Sequence, residues 1–186
     1  PTSETSEMLV FDRIMVDIGD DQSIDNDLST YSSFLANMKE MLAKADSRTL
    51  VLIDEFGSGT EPAAGGAIAE AILSELDNRG AYGIITTHYT NLKLYASADT
   101  GVVNGAMMFD VKNIAPMFKL EMGLPGNSFA FELARKMGLP EQIIKDAEAR
   151  AGEEFVGIER NLRKIARNRK ALDEKLERIK HTDKTL

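Results

Sequence analysis

The chain has 186 residues, 43% of them apolar, and a formal net charge of −8 at pH 7. That is enough for one substantial core with an appendage and too apolar for a disordered chain, while the absence of cysteine excludes disulfides and thiolate metal sites. The opening "PTSETSEM" does not resemble a secretory signal and no apolar run is long enough to span a bilayer, so a soluble cytoplasmic protein without a membrane partner is the expectation.

The charge is uneven. Residues 1–61 hold 13 acids against 4 bases, residues 62–150 hold 10 against 8, and residues 151–186 hold 7 against 10. An acidic first third argues against a nucleic-acid surface there, and the mixed-charge tail reads first as a solvated helix.

In chain order, "MLVFDRIMVDIG" (8–19) is strand-like, and an acidic loop, "DDQSIDND", follows. Tyr31, Phe34, Leu35, Met38, Met41, Leu42 and Ala45 then recur at helical spacing, with Ser29 or Thr30 placed to cap that helix. "TLVLI" (49–53) is a continuous apolar run, as in a strand covered on both faces. Pro62 suits a helix start, Ala64, Ile68, Ala71, Ile72 and Leu76 form its apolar face, and Gly80 ends it. "YGIITT" (82–87) is a second buried strand, and strand, helix, strand with short links implies a parallel sheet.

"GVVNGAMMFDV" and "MFKLEMG" pair as β-strands at the sheet edge, "NSFAFELARKMG" is a short helix, and Pro140 opens another. Gly152 and Gly157 make a joint, which divides the chain into a body (1–152) and a charged tail (153–186). In the tail, Ile158, Leu162, Ile165, Arg169, Leu172, Leu176 and Ile179 follow a heptad seam with one polar interruption at Arg169. A coiled coil is the preferred reading; a single amphipathic helix lying on the body is the alternative.

In open parallel sheets, ligands bind beyond the carboxyl ends of the strands. "LVLIDE" puts Asp54 and Glu55 there, and "GIITTH" puts His88 there. Nucleotide hydrolysis needs an acid to hold Mg²⁺, usually through water, and a group that orients or deprotonates the attacking water. Consecutive strand residues face opposite ways, so Asp54 can serve the metal and Glu55 the water, while His88 can donate to a γ-phosphate. Taken singly, Asp54 is as well explained as a turn cap and His88 as an ordinary histidine; their meeting at two strand ends favours the functional reading. "LST" supplies a helix N-terminus, a ready anion site, or merely an N-cap.

The order of features is diagnostic: Gln22 in an acidic loop, "LST", "LVLIDE", "GSGT", "THY". It is the order of Q-loop, signature, Walker B, D-loop and H-loop in ABC-type ATPases. The chain resembles the ATPase domain of the MutS family through "LVLIDEFGSGTEPAAGGAIAEAIL", "TTHYTNLK", "VVNGAMMFD" and "FKLEMGLPGNSFAFELARKMGLPEQII". "DIGDDQSIDNDLSTYSSFLANM" is similar to the type-2 bacterial branch, in which a helical linker leads to a C-terminal Smr nuclease domain. The resemblance covers residues 8–150 closely and the tail loosely.

The resemblance implies an α/β fold, part of an ABC-type P-loop NTPase sheet with flanking helices, followed by the heptad helix. It implies ATP and Mg²⁺ as cofactors, Asp54 on the metal, Glu55 activating water and His88 on the γ-phosphate. Ser29, with Thr30, would reach the γ-phosphate of a partner subunit in a homodimer; Gly57, Ser58, Gly59 and Thr60 would cross the dimer interface; Gln22 is a weaker Q-loop candidate. DNA, including branched DNA, in suppression of homologous recombination, or a stalled ribosome, is the partner implied. A phosphate loop, G-x-x-x-x-G-K-[ST], is absent, since no lysine here follows a glycine. The expectation is therefore a piece of an ATPase domain, inactive by itself. Two alternatives stand beside it: an ATPase of the SMC or Rad50 type, whose coiled coil would however interrupt the domain before the signature, and a non-catalytic dimerisation module built on the heptad helix.

Overall fold

The chain folds as two compact units, Pro1–Val102 and Val103–Leu186. The computed structural model describes residues 5–18, 30–96, 100–110, 113, 115–126, 129–152, 157, 161 and 164. Gln22, Ser29 and the heptad positions from Ile158 to Ile179 lie outside them.

The first unit holds β1 (Arg13–Asp17), α1 (Thr30–Lys44), β2 (Thr49–Ile53), α2 (Pro62–Asn78), β3 (Tyr82–Ile85) and α3 (Thr90–Tyr95). The strands form a parallel sheet in the order β1-β2-β3, with Ile14, Leu50 and Tyr82 in one row and Val16, Leu52 and Ile84 in another. The parallel β-α-β arrangement expected from the sequence is present.

Alternation along β2 buries Thr49, Val51 and Ile53 on one face of the sheet. Met38 and Met41 from α1 with Ala45 just after it, Ala69, Ile72, Leu73 and Leu76 from α2, and Leu92 from α3 join Val51, Ile53 and Phe56 in one core cluster. On the opposite face Leu50 and Leu52 are half-buried and the flanking strands stand open: Ile14 is 64% and Ile84 68% exposed, against 2% for Val51. The expectation that β2 and β3 are covered on both faces is thus corrected: apolar runs report that both faces are greasy, and among the described residues helices cover only one.

The face of α2 also differs from expectation. Gly65, Gly66, Ala69, Ile72, Leu73 and Leu76 turn inward, while Ala64 and Ala71 are exposed and Ile68 stands largely outside. Two glycines take the inner positions because other groups press close there: a Cβ on Gly65 would come within 2.8 Å of the Tyr89 hydroxyl and one on Gly66 within 3.1 Å of Asn91 Oδ1. Pro62 occupies the first turn as expected, and Glu61, not singled out from the sequence, is the N-cap, accepting from the N–H of Ala63 and Ala64. Gly80 follows the helix with φ of +67°.

In the second unit β4 (Gly105–Asp110) and β5 (Ala115–Met122) pair antiparallel in a two-stranded sheet of their own, with a register shift between Met107 and Phe109. They pair as expected, but they do not extend the edge of the parallel sheet. α4 (Ala130–Lys136) and a helix over residues 141–152 follow, the latter behind Pro140. Phe109 and Phe129 stack at 4.7 Å, and Arg135 binds both Glu141 and Glu148.

Candidate active site at the strand ends

β2 stops at Ile53, and the chain turns immediately. Asp54 and Glu55 therefore lie beyond the strand, and the alternation argument that set their side chains apart does not apply. The turn is marked by the backbone of Glu55, whose φ of +49° lies in the left-handed region. A non-glycine residue there costs on the order of 1–2 kcal/mol, so surrounding bonds must hold it.

Those bonds come from the two neighbouring strands. The Asp54 N–H donates to the Asp17 carbonyl at the end of β1 (2.8 Å). The Thr86 N–H donates to the Ile53 carbonyl, and the Phe56 N–H donates to the Thr86 carbonyl, both at 2.9 Å. The Thr86 hydroxyl donates to Asp54 Oδ1 and accepts from the Glu55 N–H at 3.0 Å. Glu55 N–H also reaches Asp54 Oδ1 at 3.1 Å. Thr87 continues the clasp, its hydroxyl donating to the Phe56 carbonyl (3.2 Å) and accepting from the Tyr89 N–H (3.2 Å).

The structure thus brings the Asp54–Glu55 turn and the segment bearing His88 side by side. All three side chains are exposed to solvent. The Asp54 carboxylate is tied back through Oδ1 and remains exposed. Among the described residues no three acid, histidine or cysteine side chains converge as a metal cage. One exposed carboxylate with room for water fits Mg²⁺, which keeps several waters and shares its remaining positions with phosphate oxygens.

The glycine loop is shaped by its neighbours. Gly57 (φ +85°) and Gly59 (φ +90°) adopt conformations that disfavour side chains. Gly57 is buried, and its carbonyl accepts from the Tyr89 hydroxyl at 3.0 Å. Ser58 and Gly59 are exposed, and a Cβ on Gly59 would stand 3.7 Å from the Tyr31 nitrogen in the first turn of α1. Thr30 is the first residue of that helix. The loop and the start of α1 are therefore adjacent, as sequence order alone could not say.

Tyr89 and Asn91 were not singled out from the sequence. Tyr89 fills the space left by Gly57, Gly65 and Gly66, and Asn91 Nδ2 donates to the Gly66 carbonyl (2.8 Å) and to Glu70 Oε2 (2.7 Å). The signal for them was the pair "GG" inside a helix, which asks what approaches so closely. Further from the strand ends, the Ala64 and then the Ala63 N–H hold the Glu61 carboxyl below its usual range.

Residues 1–154 match the family model described as MutS domain V. Among curated proteins the chain is 45% identical over 171 residues to "Endonuclease MutS2" of Brevibacillus brevis, covering 92% of this chain and 22% of that protein. It is 42% identical over 174 residues to the protein of that name from Geobacillus kaustophilus, covering 94% and 22%, and 41% identical over 187 residues to the one from Halothermothrix orenii, covering 97% and 24%. The chain thus spans between a fifth and a quarter of the length of these relatives.

Proposed function

Because the chain belongs to the MutS family, of the MutS2 type, we propose that it forms the metal- and water-directed half of an ATP-hydrolysing site in a homodimer that acts on DNA. The observation that carries this reading is the clasped pair of strand ends, where Asp54, Glu55 and His88 share one solvent-facing edge.

Asp54 would hold Mg²⁺, which would supply positive charge against the phosphate oxygens of the nucleotide. Glu55 orients the attacking water and takes its proton, which a solvent-exposed carboxylate can do. His88 donates to a γ-phosphate oxygen. Ser29 and Thr30 reach the γ-phosphate bound by a partner subunit; the exposed Ser58 and Gly59 cross to that subunit, and Gln22 is the further nucleotide-contacting candidate.

The phosphate-holding lysine is not among the 186 residues, and we assign it to polypeptide beyond them. We assign residues 153–186 the part of a linker between the ATPase body and a nuclease region, in keeping with the endonuclease name of the relatives. DNA, branched DNA included, is the partner favoured, with suppression of recombination as the outcome; a stalled ribosome is the second reading. The family match favours this over an ATPase of the SMC or Rad50 type.

The test is ATP turnover by the 186-residue chain beside its Glu55→Ala form. Negligible hydrolysis by both is expected. Substantial Glu55-dependent hydrolysis by this chain alone would overturn the assignment of the phosphate-binding half to other polypeptide.

A further inference from the structure

We propose that Thr86 is a positioning residue of this site, whose hydroxyl fixes the Asp54 carboxylate and the Glu55 backbone in one relation. The proposal rests on the roles given above to Asp54 and Glu55.

Thr86 makes four bonds to the segment Ile53–Phe56. Two are backbone bonds, to the Ile53 carbonyl and from the Phe56 N–H, and they join the strand ends whatever side chain stands at 86. The other two belong to the hydroxyl alone, which donates to Asp54 Oδ1 and accepts from the Glu55 N–H. Both capacities of one hydroxyl are used, and both act on residues assigned to the chemistry. Support of the fold is thus separable from placement of the carboxylates.

The geometry says what placement is achieved. Glu55 sits at φ of +49°, a conformation that needs support. Its N–H is satisfied jointly by Thr86 Oγ1 and Asp54 Oδ1. With Oδ1 engaged twice, the Asp54 carboxylate is tied back while remaining exposed. Without the hydroxyl, the Glu55 N–H loses one of its two acceptors and the Asp54 carboxylate loses one of the two donors on Oδ1. The adjacent hydroxyl of Thr87 does not substitute, because it is committed to Phe56 and Tyr89.

The experiment compares Thr86→Val, which keeps shape and backbone bonds, with Thr86→Ser, which keeps the hydroxyl, in the full-length protein carrying this sequence. Turnover is measured against ATP and against Mg²⁺, and amide exchange is followed over Asp54–Gly57 without nucleotide. Thr86→Val is expected to lower kcat by about 10–100-fold with the KM for ATP changed by less than about threefold, and to raise the half-saturating Mg²⁺ concentration. It should speed exchange at Glu55 by about fivefold or more. Thr86→Ser should restore both to within about threefold of the parent. A valine variant equal to the parent in turnover and exchange, or a serine variant as impaired as valine, overturns the proposal. Should valine unfold the protein, Thr86→Ala against Thr86→Ser reads the same two outcomes. Asp54→Asn and Glu55→Gln are measured alongside: if they leave hydrolysis intact, the ATPase reading fails, while exchange at Glu55 still decides whether Thr86 holds the turn.

Discussion

The two faces of the parallel sheet carry the same kind of residue and have opposite fates. Val51 and Ile53 are sealed under α1 and α2, whereas Ile14, Val16 and Ile84 stand open. Purely parallel sheets are ordinarily covered on both sides. The difference teaches that in this unit stability is drawn from one face, while the site lies on the rim between them, where strand ends project past both. The residues that hold the fold and those that act are then separable by mutation.

The largest effect that separates them concerns activity. Asp54→Asn in the full-length protein should reduce ATP turnover by about 100-fold or more while leaving the melting temperature nearly unchanged, since Asp54 belongs to the rim and not to the core. A comparable loss from a core substitution without loss of stability would blur the division.

The next effect compares the faces directly. Met38→Ala, at a site 1% exposed, should cost about 2–5 kcal/mol in denaturant unfolding, whereas Ile84→Thr, 68% exposed, should stay within about 0.5 kcal/mol. Equal costs would mean that the open face is covered in solution by something the chain itself supplies.

A smaller effect tests the clasp on the helix side. Gly65→Ala places a methyl 2.8 Å from the Tyr89 hydroxyl and 2.9 Å from the Gly57 carbonyl, so a loss of about 1–3 kcal/mol is expected. Tyr89→Phe removes only the bond to Gly57 and should cost about 0.5–1.5 kcal/mol, with proteolysis in the Gly57–Thr60 loop enhanced.

The smallest effect is electrostatic. The Arg48 guanidinium lowers the Asp12 carboxyl; the Arg48 N–H, the Thr49 hydroxyl and Arg13 lower that of Asp46; and the Ala64 and Ala63 N–H groups lower Glu61. Folded values below the unfolded ones mean a contribution complete above the ordinary values, 3.8 for Asp and 4.5 for Glu, and lost as pH falls through the folded values. A thermal melt series from pH 6 down to pH 3 should show stability declining below about 4.5, with a shallower decline in Glu61→Gln. All three groups are solvent-exposed, so the decline is slight and salt-sensitive.

Much of the fold was legible because it rests on local rules. The apolar run Leu50–Ile53, Pro62 at the start of a helix, and Gly80 at its end each specify one conformation. The positions of Asp54, Glu55 and His88 at strand ends followed from those elements. What was not legible depends on tertiary contact. The inner face of α2 is marked by glycines that hydrophobic scoring ignores, because their value lies in what they admit, Tyr89 and Asn91. The left-handed turn at Glu55 has no glycine to announce it; Thr86, 31 residues away, makes it tenable. The more open face of the sheet was invisible for the reverse reason, since an apolar row looks the same covered or open.

That Glu55 serves hydrolysis and not ATP binding is tested most directly by ATP binding and single-turnover hydrolysis in the full-length protein with Glu55→Ala. The account predicts ATP bound about as tightly as in the parent and hydrolysed at least about 100-fold more slowly. Hydrolysis at the parent rate, or a loss explained wholly by weaker ATP binding, would contradict it.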